Sequence, residues 1–431
     1  MKSVVAFLAV AFVALTAQAQ GTSGPNSTAA VADASTFGAL GDGKTDDTAS
    51  LQRALDSGKR IRLAPGHTYV VSSRLVIPSA GGLISDGTGE VLARAAGFDN
   101  TDPSPHAHYQ KNSEVIDASG SIRAPFTPAK NVEIRGIKLR YESTEGRVVD
   151  AIVARNVDGL LIDKMDISGF PVGAGIKVAS ITGNSAIRNN TIHDFSSNTN
   201  FLPSYPKSNA QLTAIEVDDD RINALGSKNL AITGNRISNI TVGQLFLAAQ
   251  GYQTDGINIE NDAAQGTVIE SNEISHTGEA IDNWGVRGRI TNNTISDSYQ
   301  FGIKLIHGAS DNQVTHNTIT RTGLAGIVLS GSKEGPHATQ NNTVADNIVT
   351  DIDPDGAWAQ HETSCIQLSD NNGTTWKAHD NVFLRNRLDP GKNGKWAVNV
   401  RNNSGGHNDF SQNPLGRRGV HGLMSKGDSP A

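Results

Sequence analysis

The chain has 431 residues, of which 19% are charged and only 5% aromatic, with 45 glycines and a formal net charge of −6. That mildly acidic balance argues against a nucleic-acid binder, which needs clustered lysine and arginine. Abundant glycine with few aromatics favours many short strands joined by turns over a helical bundle.

Met1-Lys2 precedes an apolar run from Val4 to Thr16, and Ala17-Gln18-Ala19 fits a signal-peptidase site. The run is too short to cross a bilayer as a helix, and no other stretch does better, so no membrane span is expected. Residues 1–19 therefore read as a signal peptide, and the protein as exported to the periplasm or the extracellular space. Residues 20–33 are rich in small residues and read as a disordered leader. Further on, Thr45 or Asp46 can cap a helix with Asp47 in its first turn. Leu51, Ala54 and Leu55 give that helix one apolar stripe, and Gly58 ends it. Arg60 to Leu63 alternates as a strand, and Pro65-Gly66 makes a turn before Thr68 to Val71. The acidic run Thr45 to Thr48 looks like a metal loop but reads as structural. His106 and His108 fall in a polar loop and read as surface residues.

This block resembles the opening of the pectate-lyase-like superfamily, the group shared by rhamnogalacturonases. Phe37, Gly38, Gly41-Asp42-Gly43, Thr45-Asp46-Asp47-Thr48, Gln52, Ala54, Pro65, Gly66 and Tyr69 carry the resemblance. It implies an all-β fold, a single-stranded right-handed parallel β-helix, whose N-terminal edge the helix caps.

From Asn131 the sequence repeats itself, which is the primary signal for a solenoid. One unit is Asn-x-apolar: Asn190, Asn235, Asn272, Asn293, Asn317, Asn347 and Asn386 begin it. Asparagines at a fixed turn can stack as a ladder of amide hydrogen bonds. The other unit is small-Ile-x-apolar, as in Gly256-Ile257-Asn258-Ile259 and Cys365-Ile366-Gln367-Leu368. Cys365, the single cysteine, thus stands where other repeats carry Gly or Ala and reads as a packed small residue. The solenoid is expected over residues 34–402, with residues 403–431 as a weakly ordered tail. Insertions at 196–212, 219–228, 242–254, 351–363 and 388–395 are expected to wall the binding face.

If the Ile and the next apolar residue point inward, the residue between them points out. That outward column reads Val153, Lys177, Glu216, Asn258, Asp282, Lys304, Val328, Gln367, Asn399. Two residues on, a second column reads Arg155, Ala179, Asp218, Glu260, Trp284, Ile306, Ser330, Ser369, Arg401. Asp255 and Glu279 precede the strands of successive coils and fall side by side. Carboxylates one or two coils apart suit the pairs that glycosidases use. Asp255 or Asp282 would act as base, with Glu279 as an acid whose pKa its like-charged neighbours raise. The stretch from Tyr252 to His307 also resembles part of the polygalacturonase (glycoside hydrolase family 28) pattern. Asp255 is in register there, Glu279 stands for one aspartate, and Phe301 stands where histidine is expected.

The resemblance to the superfamily's lyases implies a different chemistry, with Lys304 or nearby His307 as base and Ca2+ held by Asp218 and Glu260. The candidate catalytic set is therefore Asp255, Glu279, Asp282, Lys304 and His307. Glu216, Tyr252, Asn258, Trp284 and Gln367 are candidate contacts to a polysaccharide or oligosaccharide. The expected activity is cleavage of a uronate-containing polysaccharide by β-elimination. Hydrolysis by a carboxylate pair, needing no cofactor, is the alternative, and a non-catalytic glycan-binding β-helix the third reading. The Asp-Pro-His-Asp signature of alginate epimerases is absent.

Overall fold

A computed structural model describes residues 30–94, 98, 114–142, 149–170, 173–196, 211–218, 226–241, 253–260, 263–331, 337–370, 377–401, 406–414 and 419–422. The signal-peptide segment, His106, His108 and Tyr252 lie outside them.

Each complete coil contributes three short strands, for example Glu279–Asn283, Arg289–Thr291 and Thr294–Ser296. Each pairs in parallel with its counterpart one coil on, Phe301–Leu305, Gln313–Thr315 and Thr318–Thr320. Among the described residues the strands form one parallel sheet of 12 and a larger one of 24. The larger sheet holds two stacks of strands, because the long strand Asp150–Asp163 pairs with both Gly173–Thr182 and Ala186–Arg188.

Three apolar columns fill the interior. Ile257, Ile281, Ile303, Ile327 and Ile366 stack in register on one stack of strands. Ile269, Ile290, Val314, Val344 and Phe383 stack on the second, and Ile274, Ile295, Ile319, Val349 and Leu388 on the third. All are buried. Period-two alternation produces this directly: one side chain per short strand turns inward, and identical coils superpose it.

The asparagine ladder runs unbroken. Asn190 donates to Asn235 at 2.9 Å, and the chain continues through Asn272, Asn293, Asn317, Asn347 and Asn386 to Asn413. Ser271, Asn292, His316 and Asp346, each just before a ladder residue, have φ near +56°. A left-handed residue makes the sharp corner, and the amide ladder satisfies the backbone groups it leaves over. A second ladder, Asn312, Asn342, Asn381 and Asn408, lines another corner. Its members carry the same Asn-x-apolar spacing, as in Asn312-Gln313-Val314 and Asn342-Thr343-Val344, five residues before the first ladder's Asn317 and Asn347; only one asparagine per repeat was expected to stack, and this one was passed over.

The small residue before each inward Ile is a packing constraint. A Cβ on Gly256 would lie 2.5 Å from the Ala280 carbonyl oxygen and 2.7 Å from Ile274 Cγ2. Ala214, Ala280, Cys365 and Ala397 occupy the equivalent place and are fully buried. Burial pushes the Cys365 thiol well above its ordinary pKa, which suits a packing residue and not a nucleophile.

The helix spans Thr48–Asp56 with Asp47 as its N-cap residue, where Thr45 or Asp46 was expected. The Asp47 carboxylate instead accepts from the Leu40 and Gly41 amides at 2.7 and 2.9 Å, holding the preceding loop. Leu51, Ala54 and Leu55 are buried as the stripe predicted.

Both domain limits need correction. The strand Val31–Asp33 pairs with Arg60–Arg62, so order begins inside the expected leader. Asp409–Gln412 and Val420–Gly422 pair with the last coils, so the solenoid runs past residue 402. The composition of these ends suggested loose chain, but an open parallel strand edge draws in further strand pairing.

Candidate functional site

The outward column assembles in the predicted order. Val153, Lys177, Glu216, Asn258, Asp282, Lys304, Val328, Gln367 and Asn399 are successive register partners. Asp255 lies opposite Thr213 on one side and Glu279 on the other. The second column also forms: Asp218, Glu260, Trp284 and Ile306 donate in turn to the carbonyls of Val178, Val217, Ile259 and Asn283.

Two lysines organise the charges. The Lys304 ammonium lies 2.5 Å from Glu279 Oε2 and 2.8 Å from Asp282 Oδ2. Glu279 and Asp282 are three residues apart on one strand, yet both reach the same ammonium. Lys177 lies 2.6 Å from Glu216 Oε1 and 3.0 Å from Asp218 Oδ2. Sequence reasoning put Lys177 in the outward column without assigning it a role. Burial works against the charge of each lysine, but the paired carboxylates outweigh it and hold both pKa values above the ordinary range.

Asp255 and Glu260 respond in the opposite sense. Asp255 is fully buried; desolvation, followed by the nearby charges of Glu279 and Asp282, pushes its carboxyl well above the usual value. Burial, then Glu216 and Asp218, pushes Glu260 up to about 8. Glu279 is also raised, by burial first, with Lys304 pulling it back.

Glu216, Asp218 and Glu260 bring carboxylate oxygens within 4.8 Å of one another. Such hard oxygen donors suit Ca2+ by type. The Lys177 ammonium, however, already sits against two of the three, and a cation there would stand beside a buried like charge. The donor set does not fit a resident calcium, because Lys177 supplies the positive charge.

Trp284 is half-buried and packs on His307, with ring centroids 4.0 Å apart. Its indole N–H meets no hydrogen-bond partner among the described residues, and neither does the Asn258 side-chain oxygen. Gln367 lies three coils beyond Asp282 and is buried. Trp358 packs against Tyr299 and donates to the Tyr299 carbonyl at 3.0 Å.

Two family models match parts of the chain. Residues 31–204 match the description "Rhamnogalacturonase A/epimerase, pectate lyase-like", and residues 220–414 match "Right handed beta helix region". No curated protein matches the chain in sequence. Among solved structures it is similar to the A-module of mannuronan C-5 epimerase AlgE6 from Azotobacter vinelandii, at 15% identity and a TM-score of 0.60. That match covers 93% of this chain and 99% of the other. It is also similar to the family 28 exopolygalacturonase of Yersinia enterocolitica, at 11% identity and a TM-score of 0.52, covering 90% and 79%. DFA-IIIase from Arthrobacter chlorophenolicus A6 aligns at 12% identity and a TM-score of 0.51, covering 88% and 93%. The stacked coils and these matches together show a right-handed parallel β-helix, whose N-terminal part is similar to the rhamnogalacturonase A/epimerase, pectate lyase-like description.

Proposed function

We propose that this protein is an exported carbohydrate-active enzyme that hydrolyses a glycan on the outer face of the sheet holding Asp255, Glu279 and Asp282. The carrying observation is the division of labour within that cluster. Asp255 is buried with its pKa raised, while Lys304 engages Glu279 and Asp282 at 2.5 and 2.8 Å. Two carboxyl groups in environments that separate their proton affinities are what acid–base glycoside cleavage requires.

In this reading Asp255 donates a proton to the glycosidic oxygen as the C–O bond breaks. Asp282, steadied by Lys304, takes the proton from the attacking water. The acid role thus moves from Glu279 to Asp255, because Glu279 is in direct contact with the Lys304 ammonium and Asp255 lies on a strand two coils from that of Lys304. Trp284 packs against the apolar face of a sugar ring, and Asn258 meets its hydroxyls. The helix Thr48–Asp56 serves as the cap of the coil. Asp255, Asn258 and Asp282 are at most 1% exposed.

The lyase reading asks Lys304 or His307 to be a base, and for Lys304 the geometry is unfavourable. Two carboxylates hold its proton on, which opposes that role. It fits better as a fixed positive charge.

The test incubates the protein with a panel of neutral and uronate polysaccharides, following reducing ends and ultraviolet absorbance in parallel. Hydrolysis gives reducing ends without absorbance, and Asp255→Asn lowers the rate by about 10²–10⁴-fold. New absorbance from unsaturated ends, or full activity in Asp255→Asn, overturns the proposal.

A further inference from the structure

The outward column does not end at the acidic cluster. It continues through Val328 and Gln367 to Asn399, and Asn399 is in register with His421. Around Asn399 the side chains form a second polar group that the acid–base reading does not use. Trp396 stacks on His421, with ring centroids 4.4 Å apart and planes 15° apart. Its indole nitrogen donates to Glu362 Oε2 at 2.5 Å, which fixes the ring plane. Lys395 lies 3.5 Å from the same carboxylate. The Asn399 amide donates to the Glu362 carbonyl at 3.0 Å.

Two polar atoms in this group are left over. The Asn399 side-chain oxygen and the Ser364 hydroxyl belong to fully buried residues, and neither meets a hydrogen-bond partner among the described residues. Buried polar atoms are nearly always satisfied, so two orphans in one group call for a ligand that brings both a donor and an acceptor. Around these two buried residues, Trp396 and Glu362 are half-buried and His421 is exposed.

We propose that Trp396, His421, Glu362, Asn399 and Ser364 form a second sugar-binding subsite, which holds a distant residue of the same glycan chain that reaches the acidic cluster. A pyranose combines an apolar C–H face with adjacent hydroxyls. The first packs on the indole edge and face left uncovered by His421, and the second satisfy Asn399 and Ser364. Asn399 lies four coils from Asp282, roughly 19 Å at the usual strand spacing. Only an oligosaccharide spans that distance, so the ligand is an extended chain laid along the coil axis. Between the two polar groups the outward column carries Val328 and Gln367, one apolar and one polar side chain beneath the middle of such a chain.

This inference rests on the glycan reading above, and the experiment separates the two. Oligosaccharides graded from disaccharide to octasaccharide, both neutral (cello-, manno- and galacto-) and uronic (oligogalacturonate, oligomannuronate), are titrated against Asp255→Asn protein by calorimetry. The same titration is run with Trp396→Ala added. The expected result is affinity that rises with chain length and falls about tenfold on removing the indole, with the loss largest for the longest chains. Trp396→Phe keeps the stack and is expected to recover most of that affinity; circular dichroism checks the fold of each variant. Equal affinity with and without the Trp396 indole at every length overturns the subsite while leaving hydrolysis standing. No binding by any oligosaccharide overturns both.

Discussion

Replacing Glu260 by glutamine tests the electrostatics of the outer face without touching the proposed acid. The Glu260 carboxyl has an ordinary pKa of 4.5, and burial, then Glu216 and Asp218, raise it to about 8 in the fold. Between those two values the folded protein holds a proton that the unfolded chain releases. Stability from this group is therefore fully present below about pH 4.5 and is lost as pH rises through about 8. Each tenfold change in proton affinity is worth about 1.4 kcal/mol, so the loss is on the order of 5 kcal/mol for a largely buried group. Glutamine keeps the shape and carries no titrating proton. Glu260→Gln is thus expected to match wild type near pH 4.5 and to become steadily more stable relative to it up to about pH 8. The assay is urea unfolding followed by far-ultraviolet circular dichroism from about pH 4.5 to about pH 9, comparing midpoints and unfolding rates, because stacked repeats need not unfold in two states. A gap between the two proteins that does not change with pH refutes the reasoning. The same series run with added calcium checks the cation argument. With Lys177 already on Glu216 and Asp218, calcium is expected to shift neither protein.

Two further substitutions probe the scaffold and the cluster. Lys304→Met leaves Glu279 and Asp282, with side chains 7% and 1% exposed, facing each other without their ammonium. It is expected to cost about 3–5 kcal/mol at neutral pH, and adding Glu279→Gln is expected to return part of that; an unchanged unfolding midpoint refutes the pairing. Asn293→Ala removes an acceptor for Asn272 and the donor to Ile269 and Asn317, all at 2.9–3.0 Å. Each buried group left over costs about 1–3 kcal/mol, so a clear drop in melting temperature is expected, and no drop refutes a structural ladder.

The coil itself was legible because a β-helix is nearly one-dimensional. Each inward Ile is specified by its own short repeat, and adjacent coils can only superpose it. Hence the order from Val153 to Asn399 could be written down from spacing alone, and the register pairs Asp255 with Glu279 as expected. The asparagines were legible for the same reason, since one corner recurs at one place in each repeat. The second ladder was equally legible, since Asn312, Asn342 and Asn381 each stand two residues before the inward Val314, Val344 and Phe383; it was passed over because only one asparagine per repeat was followed.

The chain's ends show the limit of composition. Small and polar residues near Val31 and Asp409 read as loose chain, yet they form strands because a paired edge is available to them. Which charges meet is a matter of tertiary structure. Glu279 and Asp282 share one lysine although strict alternation would send residues three apart to opposite faces. The flexible four-carbon stem of Lys304 lets one ammonium serve both. Proton affinities lie further still from the sequence, since burial is the main cause of the rise for Asp255, Glu260 and Glu279 alike. The sequence by itself determined the repeat, the register and which residues share the outer face, because those follow from periodicity along the chain. Only the folded molecule decided that Lys177 and Lys304 are each clasped by two carboxylates and that the Asp255 carboxyl is pushed above its ordinary pKa, because desolvation and charge contact depend on everything packed around a group.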